Sequence, residues 1–93
     1  MSENFEKSSG NIYADLGLPD AELRLEKANI AYEIGRRIEV LGLTQREAGE
    51  MMGIDQPKVS KIVRGDLRGW SLERLVKLAR LMGIDVRIEG VEG

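Results

Sequence analysis

The middle of this chain carries a dense set of signals for where helices begin and end. Thr44 and Glu47 have the spacing of a capping box, in which a hydroxyl and a carboxylate each satisfy a backbone N–H at a helix start. Gly53 can adopt the positive φ that ends a helix, and Asp55 is placed to cap the next one. Gly65 would end that second helix. The segment is therefore predicted to fold as two short helices joined by a tight turn.

Helical spacing divides the second of these helices into two sides. Val59, Ile62 and Val63 form an apolar side, which is expected to pack against the rest of the chain. The opposite side is polar and cationic, with Gln56, Pro57, Ser60, Lys61 and Arg64. Because it has no carboxylate beyond the capping Asp55, this side suits a groove lined by phosphates and base acceptors. An ordinary solvated helix face is the alternative, and the two capped helices around one turn weigh against it.

The sequence TQREAGEMMGIDQPKVSKIVRG resembles the Xre/Cro-type helix-turn-helix regulators, and the similarity extends over Gly42 to Met82. The resemblance implies an all-α, five-helix bundle like that of lambda repressor. It assigns the start of the first motif helix to Gln45 and the turn to Gly53. Gly49 stands where the family usually has alanine, which lowers the helix propensity by about 1 kcal/mol.

A member of this family is expected to bind double-stranded DNA and to repress transcription. Base contacts are expected from Gln56, Pro57, Ser60 and Lys61. Phosphate contacts are expected from Thr44, Gln45, Arg46, Lys58, Arg64 and Arg68. Arg36 and Arg37, on the preceding helix, are expected to add to the phosphate-binding side.

The sequence NIYADLGLPDAE at positions 11–22 resembles the opening of small HigA-type antitoxins. This resemblance implies a RelE-like toxin as a protein partner and repression of the protein's own operon. A stand-alone or phage-type Xre/Cro repressor without a toxin partner is the alternative.

The composition excludes several kinds of chemistry. The 93 residues include no cysteine and no histidine, so disulfides and metal sites built from these side chains are ruled out. Catalysis would depend on carboxylates, lysine or tyrosine, and no pair of these is constrained by its spacing into a shared cleft. We therefore expect a protein that is not an enzyme and that uses no metal or cofactor.

The formal net charge of −2 conceals a segregation of charge along the chain. Residues 1–33 carry seven acids and three bases, whereas residues 56–68 carry four bases and one acid. A local basic patch is sufficient for a DNA contact, because affinity for DNA comes largely from cations at phosphates. Binding by a single protomer is expected to be weak and strongly salt dependent.

Three segments are predicted along the chain. Residues 1–18 form a flexible or partner-packed segment, residues 19–83 the helix-turn-helix DNA-binding domain, and residues 84–93 a C-terminal strand and tail. No run approaches ~18 apolar residues, and the N-terminus lacks the basic and apolar regions of a signal peptide. A cytoplasmic protein without membrane contact is expected.

The C-terminal segment alternates apolar and charged residues with a period of two, which predicts a short β-strand. A lone strand needs a partner for its backbone, and the same strand of a second chain would supply one in a two-fold homodimer. The residues expected at this dimer contact are Ile84, Val86, Arg87, Ile88 and Glu89. Pairing with residues 11–14 of the same chain is the alternative.

Overall fold

The computed structural model describes residues 16–17 and 20–86. These residues form four helices: α1 (Ala21–Leu41), α2 (Gln45–Met52), α3 (Gln56–Arg64) and α4 (Leu72–Leu81). Helix α1 packs against α3 and α4, and α2 packs against the same two helices. The arrangement is all-helical, with α2 and α3 as the two short helices of the motif.

The predicted caps are confirmed atom by atom. The Glu47 N–H donates to Thr44 Oγ1 at 3.0 Å, and the Thr44 N–H donates to Glu47 Oε1 at 2.8 Å. At the start of α3 the Lys58 N–H donates to Asp55 Oδ1 at 3.2 Å. Pro57 has no N–H, so the Asp55 carboxylate reaches the next donor along the chain. These bonds fix where α2 and α3 begin.

A single hydrophobic core lies between the four helices. Its buried members are Ile30, Ala31, Ile34, Ile38, Ala48, Met52, Val59, Ile62, Trp70, Leu75, Val76, Leu78, Ala79 and Met82. Helices α1 and α4 each contribute a stripe of apolar side chains at helical spacing. Ser71 caps the start of α4, where the Arg74 N–H donates to Ser71 Oγ at 3.1 Å. Close packing of these side chains holds the motif helices on a rigid base.

The expectation of five helices and a C-terminal strand is wrong. The described residues form four helices, and Ile84 to Val86 are not a strand. The Ile84 N–H donates to the carbonyl of Ala79 at 3.0 Å, so its backbone closes the end of α4 instead of joining a ladder. Ile84 and Val86 are half-buried against the core, which accounts for their apolar character. Arg87, Ile88 and Glu89 lie outside the described residues, as do residues 11–14.

The expectation that Val63 packs against the rest of the chain is wrong, and Leu23 on α1 is exposed as well. Val63 is 43% exposed and Leu23 is 39% exposed. Val63 follows the buried Ile62, and a step of about 100° around the helix carries it from the core to the flank of α3. Leu23 lies in the first turns of α1, whose buried stripe begins at Ile30. The helical period identifies a side of a helix, but the edges of that side depend on neighbouring helices.

Candidate nucleic-acid interface

The turn between α2 and α3 brings two stretches of backbone unusually close together. Gly53 adopts a φ of 74°, and the Ile54 N–H donates to the carbonyl of Gly49 at 3.0 Å. A Cβ atom added at Gly49 would lie 2.5 Å from the carbonyl oxygen of Ile54 and 3.3 Å from Val59 Cγ2. Gly49 therefore permits an approach that alanine would obstruct, and this approach sets the position of α3 against α2.

Helix α3 presents one side to solvent while the other is fully buried. Val59 and Ile62 are 0% and 1% exposed. The expected base-contacting residues lie together on the outer side, with Gln56, Pro57 and Lys61 exposed and Ser60 half-buried. Since α3 contains no carboxylate, this outer side carries only neutral and cationic groups. The sequence prediction that these residues share an accessible surface is consistent with this geometry.

The expected phosphate-binding residues at the start of α2 are in three different situations. Thr44 is exposed, and its Oγ1 already accepts the capping hydrogen bond. Gln45 is half-buried at the first position of the helix. Arg46 is exposed, and its Nε lies 3.9 Å from Glu50 Oε2, a contact that solvent and salt weaken. The positive end of the α2 dipole favours a phosphate group at this position, although the capping box already occupies the N–H groups of Thr44 and Glu47.

Arg68, in the loop after α3, is bound to a carboxylate of its own chain. Its Nε and Nη2 donate to Asp66 Oδ1 and Oδ2 at 2.9 and 3.0 Å. The side-chain hydrogen bond from Arg68 lowers the pKa of Asp66 to about 2. Desolvation acts in the opposite direction, and the positive charges of Arg68 and Lys61 lower the pKa further. The same hydrogen bond raises the pKa of Arg68. The guanidinium of Arg68 is therefore already paired with a carboxylate of its own chain.

Comparison with known proteins assigns the chain to a family. The helix-turn-helix domain family matches residues 12–89 of the chain. A solved structure named as a candidate XRE-family transcriptional regulator shares 39% sequence identity, covering 81% of this chain and 84% of that chain, with a TM-score of 0.71. The chain belongs to the Xre-type helix-turn-helix family. The members of this family are DNA-binding transcriptional regulators, and the side chains on the outer side of α3 agree with that assignment. No curated protein matches the chain.

Arg37, which the sequence places with the predicted phosphate-binding side, is bound to the backbone at the end of α4. Its Nε donates to the carbonyl of Met82 at 2.9 Å, at the end of α4, and its guanidinium lies against Gly83. A cation at a helix C-terminus is favoured by the helix dipole. Arg36, the neighbouring residue, is exposed. Arg37 thus connects α1 to the end of α4 through a hydrogen bond. This contact depends on how the two helices pack, so no local sequence signal predicts it.

Trp70 and Arg74 support the loop that follows the Xre-type motif. Trp70 is 6% exposed, and the Arg74 guanidinium carbon lies 4.3 Å from the centre of its ring. The backbone N–H of Trp70 donates to the carbonyl of Leu67 at 3.0 Å, which closes the loop. This anchoring fixes the loop that carries Asp66 and Arg68.

Over 16–17 and 20–86, acidic side chains nowhere gather into a group of three that could hold a metal ion. In that same part of the chain, every helix is too short or too polar to cross a bilayer.

Proposed function

We propose that this protein is a sequence-specific transcriptional repressor that inserts the outer side of α3 into the major groove of an operator. The observation that carries the proposal is the contrast between the two sides of α3, one fully buried and the other exposed, without a carboxylate. A helix of this size fits the major groove, where each base pair shows its own pattern of donors and acceptors. Bound at a promoter, the protein would exclude the transcription machinery.

The exposed side chains have distinct roles in this proposal. The Gln56 amide can pair with N6 and N7 of adenine, and the Lys61 ammonium can donate to O6 or N7 of guanine. Pro57 has no N–H and offers an apolar contact to a thymine methyl group. Thr44, Gln45, Arg46 and Lys58 would hold phosphates on either side, and Arg68 would do so only in competition with Asp66.

Selection of bound duplexes from a random-sequence pool tests this proposal directly. We expect a preferred sequence to emerge, and we expect Gln56→Ala and Lys61→Ala to weaken its binding and relax base preference, as measured by fluorescence anisotropy. Lys77→Ala is the matched control, because Lys77 is an exposed lysine on α4, outside the proposed interface. If both interface variants kept the affinity and preference of the wild type, the proposed orientation of α3 would be wrong.

We also propose that the repressor binds its operator as a homodimer. Two-fold symmetric proteins read palindromic operators, and two copies double a small basic surface. Exposed apolar side chains at Tyr32, Val40 and Leu81, which are 63%, 67% and 50% exposed, offer area for a protein contact. Analytical ultracentrifugation of the free protein and footprinting of the operator test the dimer. A monomeric protein protecting a single half-site would contradict it.

The more specific role that we propose is that of an antitoxin that represses its own operon. Its support is the HigA-type resemblance of residues 11–22, together with Leu16, which is 66% exposed near the start of the described chain. Co-expression with the product of the neighbouring gene tests this role, and removal of residues 1–18 is expected to abolish neutralisation while DNA binding persists. If that gene encodes no small basic protein that binds this chain, a stand-alone or phage-type repressor is the better description.

A further inference from the structure

Arg64 lies on the line of α3 that faces directly away from the core. It follows Pro57 by seven residues, about two helical turns, so the two residues share one line along the helix. That line is opposite the buried pair Val59 and Ile62. When a helix lies in the major groove, the outermost line faces the base edges, whereas the flanks face the phosphates along the groove walls. The angular position of Arg64 therefore favours a base over a phosphate.

A hydrogen bond holds the Arg64 side chain along this line. Its Nη1 donates to Ser60 Oγ at 3.1 Å, four residues earlier and one turn nearer the start of α3. The N-terminal part of a recognition helix is where base contacts concentrate. Ser60 is half-buried, whereas the hydrogen bond itself is exposed to solvent and is therefore accessible to DNA. The bond thus directs the guanidinium back toward the bases.

The charge of Arg64 also distinguishes it from Arg46 and Arg68, two other arginines expected at the interface. Arg46 lies near the Glu50 carboxylate, and Arg68 is bound to Asp66 through two hydrogen bonds. The hydrogen-bond partner of Arg64 is a neutral hydroxyl, which leaves its positive charge uncompensated and its other N–H groups available as donors. An arginine fork of this kind matches the O6 and N7 acceptors of guanine.

We propose that Arg64 reads a guanine in the operator and that Ser60 positions it for this contact. This assignment rests on the proposed function, and it replaces the sequence-based expectation that Arg64 holds a phosphate and Ser60 contacts a base. It predicts a conserved G·C pair within the part of each half-site that α3 covers. Ser60 acts through Arg64 and need not touch the DNA.

Base-by-base replacement in the selected operator tests the assignment with the full chain. We expect Arg64→Ala to remove the preference for guanine at one base pair, where the wild type should discriminate by roughly 5- to 150-fold. Ser60→Ala should reduce the preference at the same base pair by a smaller factor. Lys58→Ala is the contrasting variant, because loss of a phosphate contact weakens all sequences alike and lowers the slope of log K against log salt by about 0.9.

Replacing guanines of the half-site with 7-deazaguanine gives a second measurement, which compares the wild type with Arg64→Ala. Removal of N7 at the guanine read by Arg64 should weaken wild-type binding, and the same replacement should have no further effect on Arg64→Ala. If Arg64→Ala behaved like Lys58→Ala, with uniform weakening and a lower salt slope, Arg64 would be a phosphate contact and the assignment would be overturned. A pool that yields no preferred sequence would instead refute the proposed function itself.

Discussion

At Gly49 the backbone of α2 comes too close to the turn for a methyl group. The added Cβ would lie 2.5 Å from a backbone carbonyl oxygen, which cannot rotate aside as a side chain can. We expect Gly49→Ala to lower the free energy of unfolding by about 1–3 kcal/mol, because overpacking outweighs the better helix propensity of alanine. Urea denaturation followed by circular dichroism measures this change. A variant as stable as the wild type would show that α2 and the turn can separate at little cost.

Gly35 provides the matched control for this substitution. It lies in the interior of α1, and a Cβ atom built there meets nothing within 4 Å. Gly35→Ala should therefore raise the free energy of unfolding by about 0.5–1 kcal/mol, the ordinary difference in helix propensity. Opposite signs for the two substitutions would separate the close approach at Gly49 from the general effect of glycine in a helix.

The carboxyl of Asp66 gives the loop after α3 a pH dependence. Its pKa is lowered to about 2 from an ordinary value of 3.8 by the hydrogen bond from Arg68. A lowered pKa in the folded state means that the pair stabilises the fold above about pH 4 and that this contribution is lost as the pH falls toward 2. We expect Arg68→Ala to return the pKa of Asp66 toward its ordinary value in an NMR titration of the carboxyl carbon. Arg46→Ala, which removes a distant ion pair, should leave that titration unchanged.

At the scale of the helices, the two capping residues Thr44 and Ser71 are both expected to affect stability, but only Thr44 is expected to affect DNA binding. Thr44 caps α2 within the candidate interface, whereas Ser71 caps α4 outside it. We expect Thr44→Ala and Ser71→Ala each to cost about 0.5–2 kcal/mol of stability, since both leave a backbone N–H at a helix start without its partner. Thermal or urea unfolding measures this loss. Anisotropy at a temperature where both variants are folded should show weaker DNA binding for Thr44→Ala alone, and equal affinities would remove Thr44 from the interface.

The helices were predictable from the sequence because their ends depend on local signals. The caps at Thr44 and Asp55 and the turn at Gly53 act over a few residues, and each is confirmed. The tail was mispredicted because alternation at Ile84 and Val86 also suits two side chains packed on a helical core. The backbone hydrogen bond that decides between these structures comes from the end of α4.

The candidate site was predictable to a smaller extent than the helices. Which residues of α3 face outward follows from helical spacing, and the structure agrees for Gln56, Pro57 and Lys61. The hydrogen bonds that commit Arg37 and Arg68 to partners within the chain depend on the approach of separate elements or on the shape of one loop. A count of basic residues along the sequence cannot distinguish such committed cations from available ones.

For the molecule as a whole, α1 and α4 form the scaffold on which the motif rests, and Arg37 joins them across 45 positions of sequence. We expect Arg37→Ala to lower the free energy of unfolding by about 1–2 kcal/mol, because it removes a charge-assisted hydrogen bond that is partly exposed to solvent. Arg36→Ala should change stability by less than about 0.5 kcal/mol, as is usual for an exposed side chain. Urea denaturation of both variants tests this difference.

DNA binding by the Arg37→Ala variant shows whether Arg37 serves only the stability of the whole protein or also contacts DNA. Because Arg37 is bound to the carbonyl of Met82, we expect the folded variant to keep the wild-type slope of log K against log salt. A slope reduced by about 0.9, with stability unchanged, would mean that Arg37 leaves Met82 to contact a phosphate when DNA binds. In that case the tie between α1 and α4 would be broken by the operator, and the scaffold would rearrange on binding.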